Sequence, residues 1–556
     1  MPLVCPRVFA AIIALFSLLV PLPRFARAQR SALDTYAITN ARIVPVSGPV
    51  IERGTVVVRN GLIAAVGANV SAPPDARTID GTGLTVYPGL IDSYTSLGIP
   101  EPSPSPSPSP GAGGFLQALV RQPGATVGAP NSSQPVGLQP ELMADDLIKP
   151  GAAEIESERN VGITTALTAP RSGIWMGQSA LIDLAGDTPQ QMIVRSPVAM
   201  HVGFNPLRGG YPGSLMGVFA SLRQMLLDTQ RYRESLQVYE RSPKGIRRPD
   251  RDKSLAALIP VLEGRIPVVM YADSERDIER ALDLADEFKL RALIAGGRES
   301  WKLAGRLRLG DVPVLLSLNL PRRTTAALPE ADPEPMRVLR ERVEAPQTAG
   351  KLATAKVRFA FQSGAIPNIS DFLVNAGRAI ENGLAREDAL RALTLWPAEI
   401  FGMANQLGSI EPGKIANLTV TRGDLFDRNS RVVHVFIDGR PIELKAVSAA
   451  NQNRVNAIGS WTLAVDLGKG NTAATLTLQQ EGDSLRGSIQ GSLGSADIAN
   501  ASLSPAGEVR FTVRVTTEGQ TSEASFVGTI TGNEMRGTVT IEGRPPGSFS
   551  GTRLPS

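Results

Sequence analysis

Pro88-Gly89-Leu90-Ile91-Asp92-Ser93-Tyr94-Thr95-Ser96 is the stretch on which the fold turns, because the pattern of the chain changes there. Before it lie short strands and turns. Residues 41–46 and 54–58 are rich in β-branched side chains, and Asn60-Gly61 makes a tight hairpin turn ahead of the run 62–67. After it, strand-like runs alternate with amphipathic helices. The strand runs are 161–167, 198–202, 266–271, 290–295, 312–318 and 357–361. Among the helices, Ser274 and Asp277 form a capping-box-like start, after which Ile278, Ala281, Leu282, Ala285 and Phe288 share one face. Repeated βα units of this kind predict an α/β fold built on a parallel, TIM-like (β/α) barrel.

Two stretches interrupt the barrel pattern. Residues 102–110 alternate Pro and Ser and run into Gly-rich sequence, giving an insertion over 101–137 that is predicted to be extended. It follows the first barrel strand, which places it over the C-terminal face of the barrel. Residues 321–351 are polar and Pro-rich and read as a second long loop. Residues 459–556 change character again. Six short runs (461–467, 473–479, 484–490, 509–515, 525–530 and 535–541) predict a separate all-β sandwich or barrel.

A chain of 556 residues with 42% apolar content is long enough for two or three domains. Residues 1–28 read as a secretory leader: Arg7 precedes an apolar run over 8–20, and Ala26-Arg27-Ala28 fits a small-x-small cleavage site. The run is short for a bilayer span, and no later apolar stretch is long enough for one. Export to the periplasm or the extracellular space is the expectation. Cleavage after Ala28 would remove the single cysteine, Cys5, and three arginines, leaving 54 basic against 53 acidic residues. The sequence pI of about 9.2 therefore carries no message about nucleic acid.

Three ordered motifs give the chain a family resemblance. They are Val86-Tyr87-Pro88-Gly89-Leu90-Ile91-Asp92, the helix-like Glu387-Asp388-Ala389-Leu390-Arg391-Ala392-Leu393-Thr394-Leu395-Trp396-Pro397-Ala398, and Leu407-Gly408-Ser409-Ile410-Glu411-Pro412-Gly413-Lys414-Ile415-Ala416-Asn417-Leu418. Over about residues 36–444 the chain resembles the amidohydrolase superfamily, nearest its imidazolonepropionase-like branch. The resemblance implies a barrel over 88–404. It also implies a small composite β-sandwich domain made from both flanks, 29–87 and 405–447.

It further implies one or two divalent metals that activate water and polarise the scissile carbonyl. Here the ligand set is missing. Tyr94 and Ser96 stand where the first two histidines belong. His201 stands at the position of a bridging lysine, Tyr271 and Gly296 at two further histidines, and Gly364 at the aspartate of the last strand. The chain holds only two histidines, His201 and His434, too few for any alignment to restore the set. No cofactor is therefore expected.

Two roles stay open for His201: a packed strand residue, or a base towards Ser96. Tyr94, Ser96, Tyr271 and Asp273 are the candidates for substrate binding at the barrel mouth, Asp273 having a helix cap as its plainer role. The function expected is that of an exported, non-catalytic member binding a small molecule or a protein. A homo-oligomer or a complex with an active paralogue would suit such a chain. The alternative is a hydrolase of non-peptide carbon–nitrogen bonds, amide or cyclic amide, working through a rebuilt metal-free site.

Overall fold

The computed structural model describes residues 35–100, 132, 134–207, 210–321, 335–364, 366–427 and 430–444. It further describes 457–466, 471–481, 484–491, 494–503, 507–517, 520–541 and 547–553. The leader and the Pro-Ser run lie outside the described residues.

The first flank forms β1 (Thr35–Ile43), β2 (Ile51–Arg59), β3 (Leu62–Gly67), β4 (Ala76–Asp80) and β5 (Leu84–Pro88). The β2–β3 hairpin turns on Asn60 and Gly61, both at positive φ (52° and 82°), the conformation that the tight turn demands and that Asn-Gly adopts at low cost.

The barrel begins with β6 (Leu90–Thr95), which pairs in parallel with β7 (Ile163–Thr168). The next stave is different. β8 (Trp175–Gln178) and β9 (Ala180–Asp183) flank Ser179 as one extended run, and β10 (Ile193–Arg195) adds to its edge. β9 runs antiparallel to β7, and β8 runs antiparallel to β11 (Met200–Gly203). Only six residues separate β7 from β8, too few for the crossover that a parallel neighbour needs. From β11 onward β12 (Val268–Ala272), β13 (Ala292–Gly296), β14 (Val314–Ser317) and β15 (Phe359–Gln362) pair in parallel, in chain order. The ring closes through side chains: Ser93 Oγ donates to the Phe361 carbonyl (2.8 Å), and Ser363 N donates to Asp92 Oδ1 (2.9 Å).

Helices cover the staves. α1 (Ala153–Asn160) precedes β7, and α2 (Glu275–Phe288) links β12 to β13. α2 starts as its sequence predicts: Ser274 Oγ accepts from Asp277 N and donates to Asp277 Oδ2. The expected second loop is a correction. Of its span, 322–334 lies outside the described residues, but α3 (Met336–Glu344) and α4 (Thr348–Thr354) are helical. The Pro-rich approach to α3 masked a segment with apolar spacing of its own. The motif before the return to the sheet forms two helices, α5 (Arg386–Leu393) and α6 (Leu395–Ile400).

The second flank supplies β16 (Leu418–Arg422), β17 (Arg431–Ile437) and β18 (Arg440–Ile442). These join the first flank in one eight-stranded sheet, β16 pairing antiparallel with β5. Asn417 pins this sheet to the barrel. Its amide nitrogen donates to Asp183 Oδ1 (2.7 Å), which also accepts from Thr165 Oγ1 (2.8 Å), while its amide oxygen accepts from Asp438 N (2.7 Å). Burial pushes the Asp183 carboxyl up to about 7 despite these two donors.

Beyond residue 457 eight antiparallel strands close into a barrel, the first (Gly459–Asp466) pairing with the last (Gly547–Arg553). The fold is thus the barrel of the two expected forms, with two strands more than the six expected runs. Gly494–Leu503 and Gly547–Arg553 are rich in Ser, Ala and Gly and carry little β-branched signal. Alternation is clear: Trp461, Leu463, Val509, Phe511 and Val513 point inward, while Thr462, Arg510 and Arg514 are exposed. Among the described residues no helix is long and apolar enough to cross a membrane.

Candidate functional site

Tyr94 on β6, His201 on β11 and Tyr271 on β12 meet inside the C-terminal end of the barrel. The Tyr94 and His201 rings stack, with centroids 5.2 Å apart and planes 11° from parallel. Tyr271 leans toward Tyr94 at 6.5 Å and 44°. Tyr94 and His201 are buried, and Tyr271 is half-buried. Neither imidazole nitrogen of His201 has a hydrogen-bond partner. Burial alone pulls its pKa down to about 3, so the ring is neutral. The Tyr94 phenol is pushed up to about 12, again chiefly by burial, and its hydroxyl points at Met176 Sδ (4.0 Å).

The remaining sequence candidates stand apart from this stack. Ser96 is half-buried in a cleft beside the mouth and makes no hydrogen bond with His201, which leaves the imidazole without the hydroxyl that a base would need. Asp273 does not cap α2, contrary to expectation, because Ser274 does. Instead Asp273 Oδ2 accepts from Arg298 Nη2 (2.9 Å), and Arg298 also pairs with Glu341. Gly296 lies beneath that carboxylate: a Cβ there would fall 2.6 Å from Asp273 Oδ1, and its φ is +91°. A Cβ on Gly364 would fall 2.3 Å from Gln362 Oε1. His434 pairs across the flanking sheet with Val420, outside the barrel.

A metal of the kind the family uses needs several imidazoles or carboxylates converging with room between them. The residues here do not fit it. The donors at the barrel centre are one neutral imidazole and two high-pKa phenols in ring contact. The nearby carboxylate is held by Arg298, and Gly296 has no side chain. Among the described residues no three His, Cys, Asp or Glu side chains are grouped to hold a metal ion.

Sequence reasoning missed the charged cluster at the seam between β6 and β15. Asp92 is fully buried. Its Oδ1 accepts from Ser363 N and from Tyr94 N (3.2 Å), and its Oδ2 accepts from Ser363 Oγ. Glu158 of α1 is buried beside the same serine, and its Oε2 has no partner. Burial, then the negative charge of Asp92, holds the Glu158 carboxyl well above the usual carboxylate range; burial raises Asp92 as well. Two buried carboxyls around one hydroxyl favour a proton held on the pair. Ser363 and Glu158 also line the cleft of about 610 Å³ that contains Ser96, together with Arg171 and Lys149. Asp92 was legible only as part of the scaffold motif. Glu158 and Arg171 come from a helix and a loop whose meeting with β15 no local pattern announces.

The fold resembles that of known proteins. The Amidohydrolase family model matches residues 353–442. An amidohydrolase from Thermotoga maritima MSB8 is 26% identical, covering 74% of this chain and 100% of its own, with a TM-score of 0.61. A putative prolidase from Bifidobacterium longum is 15% identical over 74% of this chain and 95% of its own, with a TM-score of 0.45. No curated protein matches the chain. The family match runs from the end of α4 to β18, and the full length of the Thermotoga protein is covered; both agree with a TIM-like barrel and its flanking sheet of the amidohydrolase type.

Proposed function

We propose that this chain is an exported, non-catalytic member of the amidohydrolase superfamily that binds a ligand beside the barrel mouth. The observation that carries this reading is the Tyr94–His201 stack. It fills the barrel centre with a neutral imidazole and covers one face of that ring with a phenol, and among the described residues no carboxylate stands free at that centre to activate water. Other support is consistent. Asp273 is tied to Arg298, and the charged groups that remain accessible line the neighbouring cleft. The leader pattern over residues 1–28 supports export.

The test is elemental analysis of the protein after exposure to zinc and manganese, with hydrolysis of simple amides and cyclic imides assayed on the same preparation. Less than about a tenth of an equivalent of metal and no metal-dependent turnover are expected. Near-stoichiometric metal with metal-dependent hydrolysis would sink the reading. Amino-terminal sequencing of the secreted or periplasmic protein should begin at Gln29.

A further inference from the structure

The exposed Arg171 and the buried Glu158 stand at one strand end, yet they make no ion pair with each other. Glu158 lies near the end of β15, lining the same cleft as Ser363. Arg171 reaches the same end from the other side: its Nη2 is 3.4 Å from where a Cβ on Gly364 would stand. The guanidinium is exposed and makes no hydrogen bond among the described residues. Glu158 Oε2 is buried and equally unpartnered. A buried carboxyl oxygen without a partner is costly, and a cation brought up to the Asp92–Glu158 pair would favour release of the proton they hold to solvent. Arg171 and Glu158 both line the cleft of about 610 Å³, and Ile99, Ile366 and Ile369 line it with them.

We propose that this cleft binds a small aliphatic zwitterion, an amino acid in size and charge, its ammonium group meeting Glu158 and its carboxylate meeting Arg171. A ligand carrying only one charge would satisfy one residue and leave the other unpartnered. The apolar lining suits a branched hydrocarbon body lying between the two charged ends. Lys149, exposed on the same lining, adds to the attraction for the carboxylate. The inference rests on the ligand-binding reading above and adds the chemical class of the ligand.

The full chain should be titrated by calorimetry with L-leucine, with isoamylamine (no carboxylate) and with isocaproate (no amine). Leucine is expected to bind saturably, each single-charge analogue at least about tenfold more weakly. Glu158→Gln and Arg171→Gln should each weaken leucine binding by about tenfold or more. Arg171 is exposed, so its variant keeps the test decisive even if Glu158→Gln fails to fold. Absence of saturable leucine binding, or equal affinity for all three probes, overturns the inference. Metal-dependent hydrolysis in the same preparation would overturn the non-catalytic reading whatever leucine does. Loss of leucine binding without hydrolysis would overturn only the ligand class.

Discussion

The C-terminal barrel is filled with carbon. Phe511 stacks on Phe526 at 4.8 Å and 8°, Phe549 meets Phe526 edge-on at 5.3 Å, and Trp461 places its one polar atom on the Ala457 carbonyl (3.0 Å). The larger barrel, whose strands form two sheets bridged at the β6–β15 seam by side-chain bonds, buries Asp92, Asp183, His201 and Gln362. Both nitrogens of His201 and Oε1 of Gln362 lack partners. Each such buried polar atom costs about 1–3 kcal/mol. Side-chain packing therefore accounts for the first interior, whereas the second carries an electrostatic burden that packing alone does not explain. Conflicts of this kind between local chemistry and stability collect where a fold serves, or descends from folds that serve, a site.

The contrast breaks first at Trp461. If the C-terminal interior is a close-packed core, Trp461→Ala should cost about 3–5 kcal/mol. The loss should appear in guanidinium unfolding followed by far-ultraviolet dichroism. A cost under about 1 kcal/mol would mean that the interior holds spare space, and the two barrels would differ less than they do here.

Asp183 tests the other side. Burial raises its carboxyl to about 7, so the folded protein holds this proton more tightly than the unfolded chain does. The sign follows from proton linkage. The contribution to stability is fully present below the unfolded pKa and is lost as pH rises through the folded one. Asp183→Asn retains an acceptor for Thr165 and Asn417 but cannot ionise. The decline in unfolding free energy between about pH 4 and pH 8 should be smaller in the variant by on the order of 3 kcal/mol. Identical slopes in the two proteins would show that Asp183 is ionised and well solvated at the junction between sheet and barrel.

Legibility in the sequence followed how local each determinant was. The parallel staves β11 to β15 were readable because β-branched runs recur with helical spacing between them. The antiparallel stave β8–β9 was not, because its direction is set by the shortness of residues 169–174 rather than by its own composition. Gly494–Leu503 and Gly547–Arg553 pair through backbone and closure, with few side chains of strand type to mark them. Tyr94, His201 and Tyr271 were marked by the family resemblance, as positions where its metal ligands stand, and they do meet in space. Glu158 and Arg171 come together only through the tertiary approach of α1 and the β7–β8 loop to β15.

His201 offers the smallest effect and the sharpest discrimination. An imidazole with two unpartnered nitrogens, stacked flat on Tyr94, behaves in this interior as a misplaced aromatic ring. Phe has nearly the same shape and carries no polar atom. His201→Phe should therefore raise the unfolding free energy by about 1–2 kcal/mol, read as a higher urea midpoint at unchanged slope. His201→Ala separates shape from polarity, since it removes the nitrogens and the ring together and should destabilise by opening a cavity. If Phe destabilises as Ala does, the imidazole has a partner that offsets its burial, and the chemistry belongs at the barrel centre after all. If Phe stabilises while Ala does not, the ring persists as packing, and the groups left to bind a ligand are those of the cleft beside it.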